Sequence, residues 1–360
     1  MEIVNLTKDK YKESDDFCLE SDDAWFWHTT KWLEYTLNFQ LDSHSESKSF
    51  FILKDNKIAA ICPLILEERS GVKEFSYNKS YGIIPAFANH LTRKERDKLM
   101  KLMFERLDYL AEENNVKRIS MRFVILNPSF IETQKQKYNY LKKFGYLDNS
   151  LNTRIIDLRR PLDELRKKIR HGHDSDIDRA SKILKSEIFD YSNITKEAFN
   201  GYLELHHKDK GRLKRKEITF DMMYDWIKEK NAFLIGTKKE GKFVGFSYFF
   251  LFKNNVYYGS ACNDKDCSNM PIAHFIQWQA IKWMHKKNIK FYEIGWQHFA
   301  DTFSNFPSEK DISIARFKRG FGGFTVPLFM GEKYYNKDYF LEIYNSRIKK
   351  YSDNFNMRKK

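Results

Sequence analysis

Cysteine is scarce in this chain: four in 360 residues, Cys18, Cys62, Cys262 and Cys267. They make no CxxC pair and no quartet with metal-ligand spacing, so neither a zinc module nor a disulfide scaffold is expected, and structural or free thiols in a reducing cytosol are. Long apolar runs are missing too. The longest, Ile58 to Leu66, contains Pro63 and falls far short of the roughly 20 residues that span a bilayer. The first residues, MEIVNLTKDKYKES, carry no basic-then-apolar leader. The expectation is a soluble, cytoplasmic protein without a transmembrane segment, peripheral contact with the inner membrane face being left open. No Walker A, GxSxG or Rossmann glycine fingerprint occurs, which argues against an NTPase, an α/β-hydrolase and a dinucleotide oxidoreductase. No HExxH or comparable ligand set occurs either, and no metal is expected.

Charge and aromatic rings are plentiful. Lys and Arg number 63 against 49 Asp and Glu, a formal net charge of +14. That balance favours an anionic partner: nucleic acid, a phosphorylated cofactor, a nucleotide sugar or an anionic lipid surface. A composition biased toward Lys and Asn would give the same excess without function. Aromatics make up 16% of the chain, with 31 Phe and 20 Tyr, enough to fill two cores and line a groove. The length suits two domains.

The two halves carry the same order of elements. In the first, residues 25–39 predict an amphipathic aromatic helix. A hairpin over 49–62 turns at Asp55-Asn56. A long helix follows from about Arg93 to Asn114, then a strand at 117–123, then Leu141-Lys-Lys-Phe-Gly-Tyr146 and a strand through 153–158. In the second, helices over 196–209 and 219–230 precede strands at 232–237, 243–251 and 255–260. A helix follows from about Pro271 to Lys287, then a strand at 290–295, then Phe317–Gly323 and a strand through 324–330. A mixed α/β sheet flanked by helices accommodates this order, since a helix must cross over between parallel strands. The expected organisation is two tandem domains, 1–158 and 187–360, joined by a basic helix over 159–186 that either faces an anion or is simply solvated.

Three segments could carry chemistry. Phe317-Lys-Arg-Gly-Phe-Gly-Gly323 places fixed charge on Lys318 and Arg319 beside Gly320, Gly322 and Gly323. It could cradle a phosphate or a developing oxyanion, or be a tight turn. Val256-Tyr-Tyr-Gly-Ser-Ala-Cys262 has a glycine inside a strand, which predicts a bulge able to aim a backbone N–H at a reacting carbonyl. Asp264 follows it, and His274 lies one turn into the next helix, on one face with Trp278, as a base or a packing histidine. The densest basic cluster runs from Lys208 to Lys216 and suits phosphates or a solvated loop.

Taken in order, these residues resemble GNAT-fold acyltransferases of the FemAB type and their relatives in envelope-polysaccharide gene clusters. The resemblance covers about Leu165 to Gly323. It runs through Leu205-His206 to Arg212, Tyr258-Gly259-Ser260, the His274/Gln277/Trp278 helix, Tyr292-Glu293-Ile294-Gly295 and the closing Phe-Lys-Arg-Gly-Phe-Gly-Gly. It implies two tandem GNAT-like domains and acyl transfer to an amine without a covalent enzyme intermediate. Acyl-CoA or aminoacyl-tRNA would be the donor, and an amine-bearing sugar or peptidoglycan-type precursor the acceptor. Lys318 would stabilise the oxyanion, with Glu293, His274 or Asp264 as base. Arg212, Tyr258, Gly259, Ser260, Gln277, Trp278, Arg319, Gly320 and Gly322 would bind substrate or donor. Cys267-Ser-Asn-Met-Pro-Ile272 stands where a GNAT pyrophosphate loop would open a helix, so the donor stays open. The alternative is a non-catalytic basic groove for RNA or an anionic glycan.

Overall fold

The computed structural model describes residues 1–41, 43–78, 80–134, 138–211 and 215–357, with side chains as far as residue 353. The chain divides into two compact units. The first comprises residues 1–152, 297–315 and 327–360, and the second 153–296 and 316–326.

The first unit holds two sheets. One runs in the order Glu2–Asn5, Phe50–Lys54, Lys57–Cys62, Ala86–Phe87. Its central hairpin forms because Asp55 and Asn56 tolerate the left-handed φ values, 52° and 57°, that a two-residue turn needs. The other sheet runs Leu147–Asp148, Met330–Tyr334, Arg118–Arg122, Val72–Phe75, Ile65–Arg69, His44–Ser47. It is mixed, with Val72–Phe75 parallel to Arg118–Arg122. The long helix Arg93–Glu113 starts where expected, because Thr92 and Glu95 cap each other's backbone N–H groups.

The second unit carries the remaining expectations, and its elements are numbered in chain order. They are β1 (Leu151–Asp157), α1 (Leu162–Lys167), α2 (His171–Ser181), β2 (Lys185–Phe189), α3 (Lys196–Lys210) and α4 (Ile218–Lys228). There follow β3 (Ala232–Lys239), β4 (Lys242–Phe252), β5 (Asn255–Asn263), α5 (Ile272–Lys286), β6 (Phe291–Gln297), α6 (Glu309–Arg319), whose last turn from Arg316 lies in this unit, and β7 (Phe324–Leu328). One seven-stranded sheet orders them β2-β3-β4-β5-β6-β1-β7. β2 to β5 are antiparallel neighbours, and β5 and β6 run parallel, with α5 as the crossover between them. Phe233, Phe249, Phe275, Ile281, Ile294 and Phe321 build the core. Each such buried side chain contributes about 1.5–3 kcal/mol.

The division of strands departs from the sequence reading. β1, expected to close the first half, lies between β6 and β7, with Ile155 and Ile156 buried in the second unit. Met330–Tyr334, from the far end of the chain, lies instead beside Arg118–Arg122, where Arg118 meets Glu332 at 3.0 Å. The boundaries at 158 and 187 therefore do not coincide with the compact units. The junction is not one solvated helix either. It is α1, α2 and β2, and Leu165, Ile169, Ile177, Ala180 and Leu184 face the core.

Candidate functional site

β5 and β6 pair through Asn255–Phe291, Val256–Tyr292 and Tyr257–Glu293. The parallel ladder stops there, although β5 runs on to Asn263 and β6 to Gln297. On its other edge β5 carries the expected bulge: Tyr248 lies opposite Ser260 and Phe249 opposite Tyr258, so Gly259 is the extra residue. A side chain there would run into the Phe250 ring and approach Tyr248 O at 3.2 Å. Only glycine fits at the point where the two strands stop pairing.

Glu293 closes the ladder on β6. It is 3% exposed and accepts a hydrogen bond from Thr153 Oγ1 of β1 at 2.7 Å. Two residues on, Gly295 has φ +112°, and Lys318 Nζ lies 2.7 Å from where its Cβ would be. The glycine thus leaves room for an ammonium group directly over the β6 backbone. Burial pulls the Lys318 pKa down, and the nearby Glu293 charge offsets this in part. A cation, a buried carboxylate and a bulged strand end are thereby gathered along neighbouring parts of β5, β6 and α6.

Polar side chains continue from β5 into α5. Tyr292 OH donates to Gln277 Oε1 at 2.5 Å, and both residues are fully buried. The Tyr258 hydroxyl faces Ser247 and Gln277, and burial raises its pKa. Ser260 Oγ accepts from Tyr202 OH at 3.1 Å. Trp278 is 8% exposed and packs in the core, with the Arg166 guanidinium over its ring at 4.9 Å.

The structure puts the other predicted residues in different surroundings. Asp264 caps the turn Lys265–Cys267 and pairs with Lys208 at 2.9 Å, an interaction that lowers its pKa and its value as a base. His274 packs edge-on against His173, with centroids 4.4 Å apart, and against Phe317 at 4.9 Å. Burial, then the neighbouring His173, lowers the pKa of His274 to about 4. Arg319 lies among Arg154, Arg170 and Arg316. Gly320 leaves room for the His173 ring and Gly322 for Lys168 Cβ, while Gly323 touches Ile155 O. The close approach these glycines allow is to the protein's own chain. Phe317, Lys318 and Arg319 form the last turn of α6 rather than a loop. Arg212 lies outside the described residues.

Two residues escaped the sequence reading. Thr153 orients Glu293 from a strand assigned to the other half. His173 receives a hydrogen bond from Arg170 at Nδ1 (3.0 Å) and donates from Nε2 to Phe317 O (2.9 Å), which anchors the turn that carries Lys318. Only the His-Gly-His run at 171–173 could have drawn attention to it.

The sequence matches no protein-family model and no curated protein. Solved structures do match. FemX aligns at TM-score 0.63 and 13% identity, over 91% of this chain and 97% of that one. The fold is FemAB-like and GNAT-type. L-PGS from Bacillus licheniformis aligns at 0.55 and 12%, over 88% and 96% of the two chains. A tandem GNAT protein from the clavulanic acid biosynthesis pathway aligns at 0.50 and 9%, over 92% and 98%. Among the described residues, no group of three or more His, Cys, Asp or Glu could hold a metal ion, and no helix is long and apolar enough to cross a membrane. None of the four cysteines is in a disulfide, and three of them are buried.

Proposed function

We propose that the chain transfers an acyl or aminoacyl group to an amine, with the chemistry at the end of the β5–β6 ladder. The observation that carries this reading is Lys318 held over Gly295, beside Glu293, where the parallel ladder ends and Gly259 bulges β5. A neutral amine attacks the donor carbonyl carbon. The new C–N bond forms, and the C–S bond of a thioester or the C–O bond of an aminoacyl ester breaks. Lys318 and the backbone at Gly259 face the oxyanion, and one such donor lowers the barrier by about 3 kcal/mol. Glu293 takes the amine proton, directly or through water. No covalent enzyme intermediate is needed, and holding the reactants together contributes much of the rate. Glu293 is preferred as base over His274 and Asp264, because burial weakens the first alternative and Lys208 occupies the second.

The acceptor we assign is an amine-bearing sugar or peptidoglycan-type precursor of the cell envelope. The donor is acyl-CoA or aminoacyl-tRNA, and the site is cytoplasmic. The likeness to FemX and L-PGS supports an envelope setting. The test is release of free thiol from acyl-CoA, run beside deacylation of charged tRNA, with candidate amino sugars present. Turnover of one donor that depends on an amine supports the reading. Salt-sensitive RNA binding without turnover of either donor would replace it with a basic binding groove.

A further inference from the structure

A second set of cations surrounds a pocket of about 350 Å³ formed by β1, α1 and the turn into β7. Its floor is apolar: Ile156, Leu165 and Phe321 are buried, and Phe324 is 41% exposed. Its rim carries Arg154, Arg160 and Lys168 against one carboxylate, Asp157. Asp157 is already engaged, since Arg159 donates to its two oxygens at 2.8 Å each. Arg154 is positioned by uncharged acceptors, Gly322 O at 2.8 Å and Thr325 Oγ1 at 3.0 Å. Arg160 meets Glu164 at only 3.8 Å, in an exposed pair that water largely screens. Lys168 is exposed, and its Cβ rests where a side chain on Gly322 would stand.

This arrangement brings like charges together. Burial and the Arg319 guanidinium both disfavour the charge on Arg154, and burial, Arg316 and Arg170 disfavour that on Arg319. Like charges crowded at reduced dielectric cost free energy that a bound anion returns. Arginine forks with a lysine suit phosphate oxygens, whereas the apolar floor suits a carbon skeleton rather than a bare ion.

We propose that this pocket binds an organic phosphate, its phosphate on Arg154, Arg160 and Lys168 and its carbon skeleton on Leu165 and Phe324. The site stands independently of acyl transfer at Lys318, because it concerns binding alone. The phosphate belongs either to a small nucleotide or to an RNA strand, which share this chemistry.

Equilibrium binding to the full chain tests it, with ADP and a short 5′-phosphorylated RNA as separate probes at fixed salt. At least one probe binds saturably. Arg160→Glu and Lys168→Glu, on exposed rim residues, each weaken it by about tenfold. Lys167→Glu makes the same charge change on a side chain 76% exposed outside the pocket lining, and weakens binding by less than about twofold. ADP bound with RNA silent assigns the site to a nucleotide, and the reverse assigns it to RNA. Absence of saturable binding by both probes, or an equal loss from Lys167→Glu, overturns the proposal.

Discussion

The two units handle charge in opposite ways. In the first, Glu332 is 3% exposed and lies between Arg118 at 3.0 Å and Arg347 at 2.9 Å, and Arg118 also reaches Glu74 at 2.7 Å. Asp23, 4% exposed, is held by Arg96 at 2.6 Å, Ser129 Oγ at 2.5 Å and Phe87 N at 3.2 Å. In the second unit Lys318 is desolvated over a glycine, and Arg154 and Arg319 crowd one another. Closed networks of this first kind tie strands together. On the proposed reading, charge that burial disfavours, held in place by glycine and carbonyl oxygens, belongs to chemistry or a ligand instead.

That contrast can be broken at several points. The largest effect is expected in the first unit. Glu332→Ala takes from Arg347 its carboxylate and leaves Arg118 with Glu74 alone, and costs about 3–5 kcal/mol of unfolding free energy, measured by denaturant titration. A loss under about 1 kcal/mol would mean the network is not structural. Lys318→Met in the second unit should do the reverse. Transfer falls by about 10²–10³-fold, while unfolding free energy stays within about 1 kcal/mol of the parent or rises. A large stability loss would place Lys318 with the structural charges. Gly295→Ala strains a backbone at φ +112° and displaces the ammonium. It should cost about 1–3 kcal/mol of stability and lower transfer by more than unfolding explains.

The last effect concerns pH. Burial lowers the pKa of His274 to about 4 and depresses that of His173. The unfolded chain, with imidazoles near 6.5, binds more protons than the folded one between these values, so stability falls as pH drops from about 6.5 toward 4. The slope is at most about 1.4 kcal/mol per pH unit for each histidine. His274→Gln should flatten it, as read from unfolding midpoints across that range, and an unchanged slope would assign the acid sensitivity to other groups.

Most elements were legible because their signals are local. Short apolar runs on either side of Asp55-Asn56 dictate a hairpin, Thr92 and Glu95 dictate a helix start, and a glycine within Val256–Cys262 dictates a bulge. Strand partners were not legible. Nothing in Thr153–Leu158 or Met330–Tyr334 says which sheet each joins, since that is decided by Ile155, Ile156 and Glu332 finding partners far along the chain. The same limit applied at the site. Glu293 and Lys318 were singled out from order and residue type, and the structure brings them together. Thr153 and His173 act through contacts 140 and 144 residues away in sequence, beyond any periodicity. The glycines of Phe317–Gly323 invited a phosphate cradle, yet their neighbours are His173, Lys168 and Ile155.

The most direct test is the titration of Lys318 itself, followed by NMR with ¹³Cε-labelled lysine and Lys318→Arg to assign the signal. Desolvation over Gly295 predicts an ammonium that loses its proton below the ordinary lysine value of about 10.4. Titration at or above that value would show a charge neutralised by Glu293, like the pairs of the first unit, and would contradict the account.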